Sequence, residues 1–290
     1  MRLGFSTNSI ADVDPLDAVP MLRDLGYESL AITLDRHTID PFAADLPGRI
    51  ARWRKALAAA GMDCVVETGA RHLLDPAVKH EPTLVSADPA ARARRIDFTR
   101  RAIDIAIDLG AGGVSLWSGV GRDSAPLEAV WNRLVDGMAA ILDHAAARLI
   151  VACEPEPGMV IDTLAGAGTL FERLGRPGHL RLTVDIGHLE CMGERPYALH
   201  LQPWRGMIAN VHVDDMLACR HEHLPLGGGD VDLAAAVAAL AAADYDGGLH
   251  GTGDRGKAGG ERQAAARSGE AGEHRHPREV DGAEAGNRKH

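Results

Sequence analysis

Aromatic residues are scarce in this chain: only 4% of its 290 residues are Phe, Trp or Tyr. A core must be filled by Ala, Val, Leu and Ile, which suits a layered α/β fold. No run of about 18 apolar residues occurs, so no membrane-spanning helix is expected. The opening MRLGFSTNSIADVDP lacks the apolar stretch of a signal peptide. Cysteine is limited to Cys64, Cys153, Cys191 and Cys219, with no C-x-x-C pair and no zinc-finger spacing. Free thiols in a cytoplasmic protein are the expectation. Positive charge is in deficit, with 31 Lys and Arg against 41 Asp and Glu, a net charge of −10. An acidic surface repels phosphate backbones and argues against a nucleic-acid partner. Nor does a G-x-G follow the first strand, where the sequence reads FSTNSIADVDP. That absence argues against a doubly wound open sheet.

What is present is an alternation of short β-like and longer helix-like runs. Strands are expected at Arg2–Ser6, Glu28–Thr33, Asp63–Glu67, Gly113–Trp117, Leu149–Glu154, Leu180–Asp185, Ile208–Val213 and from Gly247 to His250. Helices are expected at Pro15–Leu25, Leu46–Ala60, Pro89–Leu109, Leu127–Ala147, Asp162–Leu174 and Val231–Ala243, with a short one at Arg195–Leu201. Gly26, Gly61, Gly110 and Gly175 stand where helices should stop. In GRDSAP, Ser124 is expected to cap the helix that follows. Eight strands alternating with helices over about 250 residues is the arithmetic of a (β/α)8 TIM barrel.

From Gly251 to His290 the composition breaks. The segment has one large aliphatic residue, Val280, no aromatic, and a surplus of Gly, Ala, Arg, Glu and His. No amphipathic helix can be drawn there, although the barrel needs an eighth helix at this point. The expected organisation is a barrel over residues 1–250 with an incomplete eighth βα unit. Residues 251–290 would be a low-complexity tail, either disordered or translated from a shifted reading frame. The second reading is preferred because the break falls in mid-strand.

TIM-barrel active sites lie at the C-terminal ends of the strands. The fifth strand ends in CEPEPG, the sixth in TVDIGH and the seventh in NVHVDD. These deliver Glu154, Asp185 and His212 to one face, with Glu156, His188, Asp214 and Asp215 just beyond. A lone strand-end carboxylate is more often a helix cap, and a lone His in VHV more often a satisfied core residue. The coincidence on three consecutive strands is what points to a divalent cation held by oxygen and imidazole ligands.

The motifs CEPEPG, TVDIGH, NVHVDD and RHEHLPLGGGDVD together resemble the xylose-isomerase-like TIM-barrel superfamily of sugar phosphate isomerases and epimerases, related to endonuclease IV, over about residues 1–250. The resemblance implies a single Mn²⁺, Mg²⁺, Co²⁺ or Zn²⁺ ion on Glu154, Asp185 and His212, with Glu154 also catalytic. It implies His188 and Arg220 as holders of substrate oxygens, with a small-molecule substrate and, by analogy, a homodimer. His72, after the third strand, and Trp117, at the end of the fourth, are candidate pocket residues. His221 and His223 resemble the Asp-x-His pair of endonuclease IV, but no His at Trp117–Ser118 completes a three-metal set. The implied reaction is isomerisation or epimerisation of a small sugar, sugar phosphate or related hydroxy-ketone through an enediolate. A metal-dependent dehydratase of a polyol or shikimate-like acid is one alternative, and a catalytically inactive binding barrel another. The family's last-strand Glu is missing: the sequence reads GGLHGTGDRG, with Asp254 the nearest carboxylate. Impaired turnover is the expected consequence.

Overall fold

The computed structural model describes residues 1–10 and 12–252. The strands are β1 (Arg2–Ser6), β2 (Ser29–Thr33), β3 (Asp63–Glu67), β4 (Gly113–Trp117), β5 (Ile150–Glu154), β6 (Leu180–Asp185) and β7 (Ile208–Val213). A two-stranded antiparallel hairpin, β8 (Asp215–Leu217) and β9 (Arg220–Leu224), follows, and then β10 (Gly248–Gly251). The parallel strands β1 to β7 and β10 close into an eight-stranded barrel, with β10 seated between β7 and β1. This is the expected (β/α)8 fold. β10 runs through Gly251, and residues 253–290 of the expected tail lie outside the described residues.

The helices are α1 (Pro15–Asp24), α2 (Leu46–Ala60), α3 (Pro89–Leu109), α4 (Leu127–Ala145), α5 (Leu164–Arg173), α6 (Ile186–Cys191), α7 (Tyr197–Leu201) and α8 (Leu233–Ala242). Local chemistry sets their ends. Asp14 and Asp88 cap α1 and α3 by accepting from Leu16 N and Ala90 N, each with Pro at the first helical position. Gly61 and Gly110 close α2 and α3 in the left-handed conformation. The structure corrects several expected boundaries and one expected cap; among them, α7 begins at Tyr197 and α8 spans Leu233–Ala242. α4 stops at Ala145 because Ala146 and Ala147 both have positive φ. α5 begins at Leu164 because Thr163, not Asp162, is the cap. Ser124 does not cap α4; Pro126 holds that position, with no side-chain bond.

The outward residues of the strands, among them Leu30, Ile32, Val66, Val114, Leu116, Val151, Leu182, Val184 and Val211, are buried and belong to the apolar core. The inward residues differ from the branched aliphatics usual inside such barrels. Ser115 Oγ meets Thr183 Oγ1 at 2.7 Å, and Ser29 Oγ meets His250 Nε2 at 2.9 Å. Gly4 and Gly248 make room for that imidazole. A Cβ on Gly4 would lie 2.4 Å from His250 Cδ2, and one on Gly248 would lie 2.8 Å from the ring. The barrel interior is therefore polar down its axis, and the groups at its mouth stand on a hydrogen-bonded floor.

Candidate active site at the barrel mouth

Glu154 and Asp185 are the last residues of β5 and β6, and His212 is paired in register with Asp185. The β6–β7 register puts Asp185 and His212 at one level, and Glu154 stands one residue past the Cys153–Leu182 pair of β5 and β6. His212 Nδ1 lies 2.9 Å from Glu154 Oε1 and 3.8 Å from Asp185 Oδ2. All three residues are buried. His188 closes the group from α6, which begins directly after β6. Its ring lies 3.8 Å from both Glu154 Oε1 and Asp185 Oδ2. Asp185 plays two parts: Oδ1 caps α6 by accepting from His188 N at 3.0 Å, and Oδ2 faces the imidazoles. The cap reading and the site reading of a strand-end Asp thus hold together, one oxygen each.

The antiparallel β8–β9 hairpin brings a second layer that the strand pattern did not reveal. It places His221 and His223 against His188, with ring centroids 5.1 and 5.7 Å away. His223 Nδ1 contacts Asp214 Oδ2. Asp214 in turn packs on Gly187, where a Cβ would fall 2.1 Å from its Oδ1. Thr252, just past β10, donates to Asp214 Oδ2 at 3.3 Å. It stands beyond the last strand, where the resemblance led us to expect a Glu. Asp254 lies outside the described residues.

Electrostatics follow from this crowding. Burial favours neutral His212, but Glu154 and Glu67 on either side drive its pKa well above the ordinary value. Burial pushes Glu156 up to about 7, and Glu154 adds to the rise against the pull of His188. Burial would also raise Asp185, yet His188, His212 and His223 hold it at about 2. A carboxyl poised near neutrality beside ionised neighbours is a common mark of acid–base sites. His188 Nε2 is buried and has no hydrogen-bond partner among the described residues. A nitrogen left bare in a polar site is available to a ligand.

The other candidates are scattered. Trp117 is buried at the end of β4, in register with Glu154, with the Arg95 guanidinium 4.3 Å from its ring and His80 edge-on. His72 is exposed on the loop after β3. Arg220 is exposed on β9 and pairs with Glu222 at 2.6 Å. Neither joins the buried group. Sequence reasoning also passed over Glu67, which ends β3 and contacts His212 Nε2 from across the barrel. A signal was present, since VVE ends β3 as ACE ends β5.

A donor set of three carboxylates (Glu154, Asp185, Asp214) and three imidazoles (His188, His221, His223), with His188 Nε2 bare, fits a divalent cation. Among the described residues, Glu154, Asp185 and His188 converge closely enough to ligate one ion, as do Asp185, Asp214 and His223.

Comparison with known proteins agrees with this architecture. L-ribulose-5-phosphate 3-epimerase UlaE of Salmonella paratyphi C is 27% identical over 240 residues, covering 80% of this chain and 79% of that protein. The crystal structure of the 3-keto-D-glucoside 4-epimerase YcjR of E. coli superposes with a TM-score of 0.70 at 16% identity, covering 92% of this chain and 99% of that one. D-Allulose 3-epimerase from Methylomonas sp., solved in complex with D-allulose, gives a TM-score of 0.66 at 19% identity over 87% of this chain and 83% of that one. At these identities the solved structures speak for the fold. The model of the xylose isomerase-like TIM barrel matches residues 19–250, and the chain belongs to that family as a sugar isomerase/epimerase-like member.

Proposed function

We propose that this chain is a divalent-metal-dependent isomerase or epimerase of a small sugar, sugar phosphate or related hydroxy-ketone. The observation that carries the reading is the convergence of Glu154, Asp185 and His212 from three consecutive strand ends, with bare His188 Nε2 beside them. Glu154, Asp185 and His212 would hold a Mn²⁺, Mg²⁺, Co²⁺ or Zn²⁺ ion, and His188 would hold a substrate oxygen. When bound, such an ion acts as a Lewis acid toward charge developing on the substrate oxygens.

The chain's own groups do the rest. Glu154 accepts the proton α to the carbonyl, giving an enediolate. Glu156, poised near neutrality in the loop after β5, can hold or return a proton at its carboxyl. Trp117 supplies a flat apolar wall next to Glu154. His72 and Arg220, on the rim, would meet the distal end of a longer substrate. The UlaE relative, by its name, acts on a phosphorylated ketose. That makes ketose phosphates the first substrates to try.

One observation favours a second reading, a barrel without turnover. Thr252 cannot ligate as a carboxylate would, nor serve as a second acid. Exchange of the substrate's α-proton separates the two. In D₂O with Mn²⁺ and a panel of ketoses and ketose 5-phosphates, the protein should incorporate deuterium at the carbon next to the carbonyl. Glu154→Gln should lower that rate about 10²- to 10⁴-fold. No exchange with any of the four metals across the panel would leave the inactive barrel standing.

A further inference from the structure

Glu67 takes no part in the reading above, yet its carboxylate reaches the ring of His212 from the opposite wall. β3 and β7 stand across the barrel from one another, four places apart around the closed ring. Glu67 Oε1 contacts His212 Nε2. Its other oxygen is braced: Oε2 accepts from Thr33 Oγ1 at 3.0 Å and from Ser6 Oγ at 3.3 Å. Thr33 and Glu67 are partners in the β2–β3 register, so the brace is built into the sheet.

We infer that Glu67 is the positioning residue of His212. It accepts the Nε2–H and holds the ring with Nδ1 turned toward Glu154 and Asp185, 2.9 and 3.8 Å away. Asn210 cannot substitute for it. The Asn210 amide oxygen faces His250 Nδ1 at 2.9 Å, which leaves its NH₂ group toward His212 Nε2 at 3.1 Å. Of the two neighbours of Nε2, the carboxylate alone has lone pairs to accept a ring proton. Glu67 touches the nitrogen remote from Glu154 and Asp185, and its role is therefore exercised through the imidazole. A carboxylate that fixes the tautomer and direction of a ligating histidine strengthens the metal site from behind.

The effect on metal binding rests on the proposed function, but the hydrogen bond does not, and two readouts on the full chain keep them apart. The first is Mn²⁺ affinity by calorimetry for the unmodified protein, Glu67→Ala, Glu67→Gln and Thr33→Val. Glu67→Ala should bind about 10- to 100-fold more weakly, with the other two in between. The second is the downfield imidazole N–H proton of His212, assigned by its loss in His212→Asn. It should be present in the unmodified protein and missing in Glu67→Ala. The inference is overturned if that proton persists in Glu67→Ala, or if Mn²⁺ affinity there stays within twofold. If the unmodified protein binds no metal, the metal reading fails and the proton resonance alone decides the role of Glu67. Should Glu67→Ala fail to fold, as a thermal melt would reveal, the isosteric Gln variant and Thr33→Val are read by Mn²⁺ affinity alone, and affinities within twofold of the unmodified protein in both overturn the inference.

Discussion

Two histidines stand side by side at the same register of the barrel, His212 on β7 and His250 on β10, and their surroundings send them in opposite directions. His212 lies between the carboxylates of Glu67 and Glu154, and its pKa is driven well above the ordinary value. His250 lies between the Ser29 hydroxyl and the Asn210 amide oxygen, in a cradle of two glycines. Burial lowers its pKa to about 4, a fall that the more distant Glu67 only partly opposes. Both rings are buried, so depth does not separate them. The difference is the partner set: two anions recruit a charge, while a hydroxyl and an amide satisfy a neutral ring. The contrast extends to the walls they belong to. The β5–β7 wall gathers charged groups at its mouth, whereas around His250 the β10–β1 wall presents Gly4 and Gly248 and closes the barrel by shape.

The sharpest break in this comparison comes with acid. The folded pKa of His250, about 4, is below the unfolded value near 6.5, so the unfolded state binds the proton more readily. The stability contributed by keeping the ring neutral is fully present above pH 6.5. It is lost as the pH falls from there through 4. The groups facing this ring are Ser29, Asn210, Glu67, His212 and Arg2. Subtracting the stability of His250→Gln from that of the unmodified protein removes the other titrations to first order. That difference should shrink by up to about 3 kcal/mol between pH 7.5 and pH 4 in chemical-denaturation curves. A difference that stays flat across this window would mean that His250 is already charged or exposed.

The cradle can be broken directly. Gly4→Val places a methine carbon 2.4 Å from the His250 ring, and the ring must leave its bonds to Ser29 and Asn210. Overpacking of this kind costs about 2 kcal/mol. Gly48→Ala is the control, since it meets nothing within 4 Å and sits in helix α2. It should stabilise the protein by about 0.5–1 kcal/mol through helix propensity. Equal melting temperatures for Gly4→Val and the unmodified protein would show that the β10–β1 wall is not close-packed around His250.

The two walls were unequally legible in the sequence. All eight barrel strands could be placed because apolar runs such as LIVACE and IANVHV are bounded by turn residues, and helices such as α2 and α3 stop at glycines. Glu154, Asp185 and His212 were legible because a strand end in a barrel is an address. Glu67 had the same address but stood outside the consecutive run, and its meeting with His212 depends on barrel closure, which local pattern does not encode. The β8–β9 hairpin was missed because RHEHL alternates no apolar residues, so period-two reasoning had nothing to grip. Helix α6, with six residues, is too short to show a helical period. His250 was passed over for a related reason: its meaning lies in Gly4 and Gly248, which provide space and no chemistry of their own.

The smallest energetic effect and the widest structural consequence meet on the outer face of the β10–β1 wall. No described helix follows β10, and Leu3 on β1 is 57% exposed. Phe5 and Leu249 are only partly covered. Residues 253–290, outside the described residues, contain one large aliphatic residue, Val280. A second copy of the chain carries a matching apolar face, and pairing the two across a twofold axis would cover both. Leu3→Glu should change the stability of the monomer by no more than about 0.5 kcal/mol, as expected of a surface position. It should nevertheless shift sedimentation velocity profiles from concentration-dependent association toward monomer, with Mn²⁺ affinity unchanged because the β5–β7 wall is untouched. A monomeric unmodified protein at all accessible concentrations would show that this face tolerates water, and that the barrel closes on the strength of its inner lining alone.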